Sequence, residues 1–124
     1  MSRIIKFRAY HKEAKEMLYE DNIGDVLQWA KQKQPIELMQ FTGLLDKNKK
    51  EIYEGDVVNY EIKLPKEILY KKGIVKWDED WASFAIYDKI NDNFAQESDW
   101  VKIYNSIEVI GNIYDNPELL KGAV

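Results

Sequence analysis

"LMQFTGLLDKNKKEIYEGDVVNYEIKL", residues 38–64, opens apolar, turns polar and returns to strict alternation. Its last third decides the fold class. Val58, Tyr60, Ile62 and Leu64 fall on one side of an extended chain; Asn59, Glu61 and Lys63 fall on the other. A period of two over seven residues describes a strand with one dry and one wet face. The polar middle reads as turns. Gly43 and Gly55 supply backbone freedom, and Asp46 and Asn48 are residues that bond their own backbone. Asn48 tolerates a left-handed conformation, so it is expected to do a turn glycine's work. Phe41, Leu44 and Ile52 are expected to anchor this turn to the core. Glu54, Gly55 and Asp56 are expected to swing the chain into the alternating strand. The stretch is read as a folding device, with a loop presented to a partner as the alternative.

Working outward, the same period recurs. "RIIKFRAY" places Ile5, Phe7 and Ala9 opposite Lys6, Arg8 and Tyr10. "HKEAKE" is a polar turn leading to a short strand near Met17–Tyr19, and "IELMQF" is a further strand. Gly73 suggests a turn or bulge before a strand through Val75 and Trp77. "DED" is a hairpin tip, followed by a strand through Trp81, Phe84 and Ile86. "NDNFAQESD" reads as an acidic loop, "WVKIY" as a short strand, and "IEVIGNIY" as a strand kinked at Gly111. Tyr60 and Trp77 are expected in the core.

Helical period appears in one place. Ile23, Val26, Leu27 and Ala30 share a helix face, with Asn22 as N-cap, Asp25 in the first turn and Pro35 as the stop. At the C-terminus Asn116, Pro117 and Glu118 have the order of a helix start. Many short strands with turn signals between them give a mainly β fold: a small barrel or strongly bent sheet with minor α. At 124 residues the chain fits one domain. We divide it into 1–36, a strand and short helix packing on the barrel, and 37–124, the barrel with its C-terminal helix; the two can form one compact unit.

Composition removes several function classes. There is no cysteine, hence no disulfide, thiolate zinc site or cysteine nucleophile. No apolar run approaches the roughly 20 residues of a membrane helix. The first twelve residues lack the longer apolar core of a signal peptide, so a cytoplasmic protein without membrane contact is expected. His11 is the only histidine; it sits on a basic, polar turn without a catalytic companion in sequence. Asp78, Glu79 and Asp80 are dense enough to weigh as a cation site, but they lack the spacing of a calcium loop. There is no glycine-rich phosphate loop and no serine elbow. No catalytic, cofactor or metal residue is assigned, and no cofactor is expected.

Net charge is −4, which argues against general nucleic-acid binding. The charge is uneven. Residues 1–15 carry Arg3, Lys6, Arg8, Lys12 and Lys15 against Glu13 alone. Residues 61–76 carry five lysines against Glu61 and Glu67. Residues 78–99 carry seven carboxylates against Lys89.

"IKFRAY", "LMQFTGLLDKNKKEIYEGDVV", "GIVKWDED" and "VIGNIYDNPELL" occur here in this order. Together they resemble the YopX family of bacteriophage and prophage proteins. The resemblance covers most of the chain and is weak near 18–34, 61–72 and 86–105. Its specific parts are Gln40–Val58 and Val109–Leu120. Lys49 departs from it, standing where the family often has the glycine of a "DKNG" turn. The resemblance implies a small barrel of SH3-like appearance after about residue 37, a phage or prophage gene in a bacterial host, and no known catalytic residue to carry over.

Three functions follow as expectations. The first is a non-enzymatic module that binds a protein partner or itself. The alternative is a nucleic-acid-binding small barrel using Arg3, Lys6, Arg8, Lys63, Lys66, Lys71, Lys72 and Lys76. The third is a metal-dependent enzyme.

Overall fold

The computed structural model describes residues 4–19, 35–80, 82–87 and 104–120. The expected helix over 22–34 and the acidic loop 91–99 lie outside the described residues, as do Trp29, Trp81 and Trp100. The described chain is mainly β. Its strands are β1 (Phe7–His11), β2 (Glu16–Tyr19), β3 (Ile36–Leu45), β4 (Glu51–Tyr53), β5 (Asp56–Lys63), β6 (Ile68–Asp78), β7 (Ser83–Tyr87) and β8 (Glu108–Asn112). They form two four-stranded sheets, ordered β2-β1-β3-β4 and β7-β6-β5-β8, with the sheet curled as a half-barrel. Every pairing is antiparallel. β1, from the 1–36 segment, pairs along its whole length with β3, so the first sheet runs across the division at 36/37.

The alternation that marked β5 becomes a core. Val58 and Tyr60 are fully buried and Ile62 packs beside them, with Ile52, Val75, Ile86, Ile107 and Val109 completing the cluster. Leu64 lies beyond it and is 42% exposed. Trp77 corrects the expected core set. It lies near the end of β6, edge-on to Phe84 at 5.1 Å, and remains 42% exposed. Val57, Ile74 and Ala85 are buried as well, so the sheet around Val57 and Ile74 is covered on both faces.

Several turns differ from the sequence reading in instructive ways. β3 does not end at Phe41 but continues to Leu45 through an irregularity. Gly43 takes φ 89 there, and the Thr42 hydroxyl bridges it, donating to Ile52 O at 2.8 Å and accepting from Leu44 N at 3.1 Å. In the following turn the left-handed residue is Lys49 (φ 65), not Asn48. Asn48 instead gives its N–H to Asp46 Oδ1 at 2.8 Å. Gly73 makes no turn. β6 passes straight through it in continuous register, and the missing side chain admits β7: a Cβ there would sit 2.5 Å from Ile86 Cγ2 and 2.8 Å from Tyr87 O. The kink at Gly111 is present as a register shift against Val57 and Val58. The C-terminal helix is a single 3-10 turn, Pro117–Leu120. The Asn116 side chain does not cap it but reaches back to accept from Asn112 N at 3.2 Å. Of the expected strand 100–104, only Tyr104 is described, and it opens a 3-10 turn, Tyr104–Ser106.

The two sheets are joined by charge. Arg8 of β1 and Asp56 of β5 are 3% and 2% exposed, and the guanidinium donates to Asp56 Oδ1 at 2.8 Å. Asp56 Oδ2 accepts the Tyr53 N–H at 2.7 Å, and Arg8 also reaches Glu54 O at 3.3 Å. Tyr53 lies under the guanidinium, 4.6 Å from ring centre to Cζ. Burial raises the Asp56 carboxyl above its ordinary range, opposed by the Arg8 charge and the Tyr53 N–H. A buried pair of this kind specifies geometry more than it adds net stability. Removing one member is another matter, because it strands the other charge.

Three expectations follow. Arg8→Met and Asp56→Asn each cost about 3–5 kcal/mol in urea unfolding. The double variant costs less than their sum by at least ~1 kcal/mol, and strict additivity would refute the coupling. Lys49→Gly stabilises by about 0.5–1 kcal/mol because it relieves a left-handed side chain, whereas Asn48→Gly does not. The third expectation concerns alkaline pH. Burial, then the neighbouring Glu51 carboxylate, push the Tyr53 phenol above its ordinary value of 10.0. Tyr114 is raised by burial in the same direction. Below pH 10 folded and unfolded chains both keep these protons. Above it the unfolded chain ionises first, so stability falls as pH rises. Tyr53→Phe should flatten that slope in unfolding midpoints taken from about pH 9 to 11.

Candidate interaction surface

Polar side chains that resemble site residues in sequence serve mostly as backbone partners here. A short-stranded fold leaves many loop N–H groups without a ladder, and each needs an acceptor. Asp46 supplies three bonds. Its Oδ1 accepts from Asn48 N and Lys50 N, both at 2.8 Å, and its Oδ2 accepts from Val109 N at 2.9 Å. It thereby clamps the turn onto β8. Asn112 accepts from Tyr114 N at 3.0 Å and Asp115 N at 2.8 Å. Asp78 accepts from Asp80 N at 2.9 Å and shapes the "DED" tip. His11 Nδ1 accepts from Ala14 N at 3.1 Å and closes the β1–β2 turn. Among the described residues no group of three or more His, Cys, Asp or Glu is placed to hold a metal ion.

The basic residues do not form one patch. Arg8 is withdrawn altogether: it is buried against Asp56 and cannot meet a phosphate, which corrects its place among the nucleic-acid candidates. Lys6 pairs with Glu51 and lies over the Phe41 ring at 5.1 Å. Arg3 lies outside the described residues. Lys76 sits over the Tyr87 ring at 5.4 Å. The rest belong to the β5–β6 hairpin, where the register settles their sides. Residues directly opposite share a face. Asn59↔Lys72, Glu61↔Tyr70 and Lys63↔Ile68 line the outer face, while Lys71 lies opposite Tyr60 on the core-side row. Leu64 N donates to Glu67 O at 2.8 Å and closes the tip, which carries Lys66.

This hairpin holds a feature that charge counting missed. Tyr70 is 75% exposed, Ile68 45% and Leu64 42%, a cluster of apolar side chains among lysines. The sequence signal was present: "LPKEILY" is too apolar for a solvated tip, but only the register shows that Ile68 and Tyr70 share the outer face with Lys63 and Glu61. Beside the β5 arm of the hairpin Lys47, Glu61, Lys63, Asn105 and Ser106 line a polar cleft of about 190 Å³. That is below the volume of an ordinary small-molecule site. The Ser106 hydroxyl is engaged there, accepting from Glu61 N at 2.9 Å.

No helix among the described residues is long and apolar enough to cross a membrane. Among curated proteins no relative matches the chain. Among solved structures it is similar to the crystal structure of protein EF1440 from Enterococcus faecalis, at 27% identity and a TM-score of 0.60, over 97% of this chain and 100% of that one. The model of the YopX protein family matches residues 6–121. With nearly its whole length matched, the chain belongs to the YopX family.

Proposed function

We propose that the chain is a non-enzymatic protein-binding module whose contact surface is the outer face and tip of the β5–β6 hairpin. The observation that carries this reading is the exposure of Leu64, Ile68 and Tyr70 together on one hydrogen-bonded hairpin. Apolar side chains presented this way, rimmed by charge, are what a partner desolvates. The buried carboxylates support the non-enzymatic part: Asp46, Asp56 and Asp78 spend oxygens on backbone N–H groups, and Asp56 also on Arg8. The phage or prophage origin implied by the motifs, and a bacterial cytoplasm, fit a chain free of cysteine.

The test separates binding from folding. Ile68→Ser/Tyr70→Ser removes exposed surface, so the unfolding midpoint should stay within about 0.5 kcal/mol of wild type. Capture of bacterial proteins by the immobilised chain should be lost with it. Unchanged capture would reject this surface. If instead Lys63→Ser/Lys66→Ser abolishes a salt-steep mobility shift with short DNA or RNA, the chain is a nucleic-acid-binding barrel.

A further inference from the structure

β6 carries opposite charge at its two ends. At its start, in the β5–β6 hairpin, Lys63, Lys66, Lys71 and Lys72 outnumber Glu61 and Glu67, and Lys63 and Lys66 are exposed beside Leu64, Ile68 and Tyr70. At its end, in the β6–β7 hairpin, Asp78, Glu79 and Asp80 outnumber Lys76, and Glu79 and Asp80 are exposed beside Trp77, itself 42% exposed. Both ends are built rather than loose. The Leu64–Glu67 bond closes one, and Asp78 Oδ1 with Asp80 N closes the other. β6 has 11 residues, a contour of roughly 35 Å. That is several Debye lengths at physiological salt, where one is about 8 Å. One strand therefore holds the two charges too far apart to neutralise each other within a molecule. Each end joins exposed apolar surface to an excess of one charge, positive in the β5–β6 hairpin and negative at the β6–β7 tip.

We propose that the chain associates head to tail with further copies of itself, the basic β5–β6 hairpin of one copy seating on the acidic β6–β7 tip of the next. This rests on the reading that the β5–β6 hairpin is the contact surface, and it names the occupant. The two surfaces differ, so the contact is heterologous: it adds copies in one direction and ends only by closing a ring. Surface charges supply orientation and salt dependence; Tyr70, Ile68 and Trp77 supply the area that loses water.

Sedimentation velocity of the full chain tests this from about 10 μM to about 1 mM. Runs at low salt and at about 0.5 M salt separate the electrostatic part. Mass should rise with concentration at low salt and return towards one chain at high salt. Lys63→Ser/Lys66→Ser disables one end, and Glu79→Ser/Asp80→Ser disables the other. Each variant alone should remain a single chain. Their equimolar mixture should form two-chain particles and nothing larger, because each partner then has one working end. Circular dichroism and melting confirm that both variants are folded. A wild type that stays monomeric at low salt and the highest concentration overturns the proposal. So does either variant associating like wild type, or a mixture that stays monomeric. Should the wild type be monomeric while Ile68→Ser/Tyr70→Ser still abolishes capture of a host protein, self-association falls and the hairpin surface stands.

Discussion

The buried pair of Arg8 and Asp56 sets the terms for the rest of the structure. Two ions removed from water must meet in good geometry, because the cost of desolvation is repaid only at contact. Their contact at 2.8 Å ties β1 to β5, one strand from each sheet. Tyr53 closes the site from beneath, and Gly55 lets the chain pass it. Gly55 takes φ 90, and a Cβ there would lie 2.8 Å from Met39 Sδ and 3.8 Å from the guanidinium. Its N–H bonds Val75 O, and its carbonyl accepts from Ile113 N. One residue thus touches β6 and the segment after β8 while steering β4 into β5. Tyr10 stacked on Tyr114 at 4.7 Å makes a second bridge from β1 to that segment.

The long motifs gain a physical meaning from this. "IKFRAY" contributes Arg8, and "EIYEGDVV" contributes Tyr53, Gly55 and Asp56. "GLLDKNKK" contributes the Asp46 clamp, and "VIGNIYDN" contributes the β8 backbone it holds together with the Asn112 turn. Each supplies a side chain or a turn that fixes backbone between or at the ends of strands. The β5–β6 hairpin lies in a span where the resemblance is weak. Its outward side chains Lys63, Ile68 and Tyr70 take no part in the core cluster.

Charge and alternation are read differently at the two faces of β5. On the core face alternation is sufficient, since burying Val58 and Tyr60 is favourable in any closed sheet. On the outer face the same period places Glu61 and Lys63 in water, and only pairing with β6 adds Tyr70 and Ile68 beside them. A patch of this kind belongs to two strands at once, so no linear window contains it.

Period-two alternation, the two positive-φ glycines and the Asp46 turn were legible in the sequence, because each depends on contacts within a few residues. So was the mainly β class, which follows from many short alternating runs. Arg8 was not legible: alternation placed it on the wet face, and only Asp56, 48 positions away, makes its burial tolerable. Trp77 failed in the opposite sense. Its size argued for the core, but near the end of β6 it packs edge-on to Phe84 and stays 42% exposed. Lys49 rather than Asn48 takes the left-handed turn position, while the Asp46 carboxylate holds the Asn48 N–H. Local chemistry determined which segments extend and where they turn. The tertiary structure alone decided which charges are buried and which apolar side chains are left outside, because both depend on partners distant in the chain.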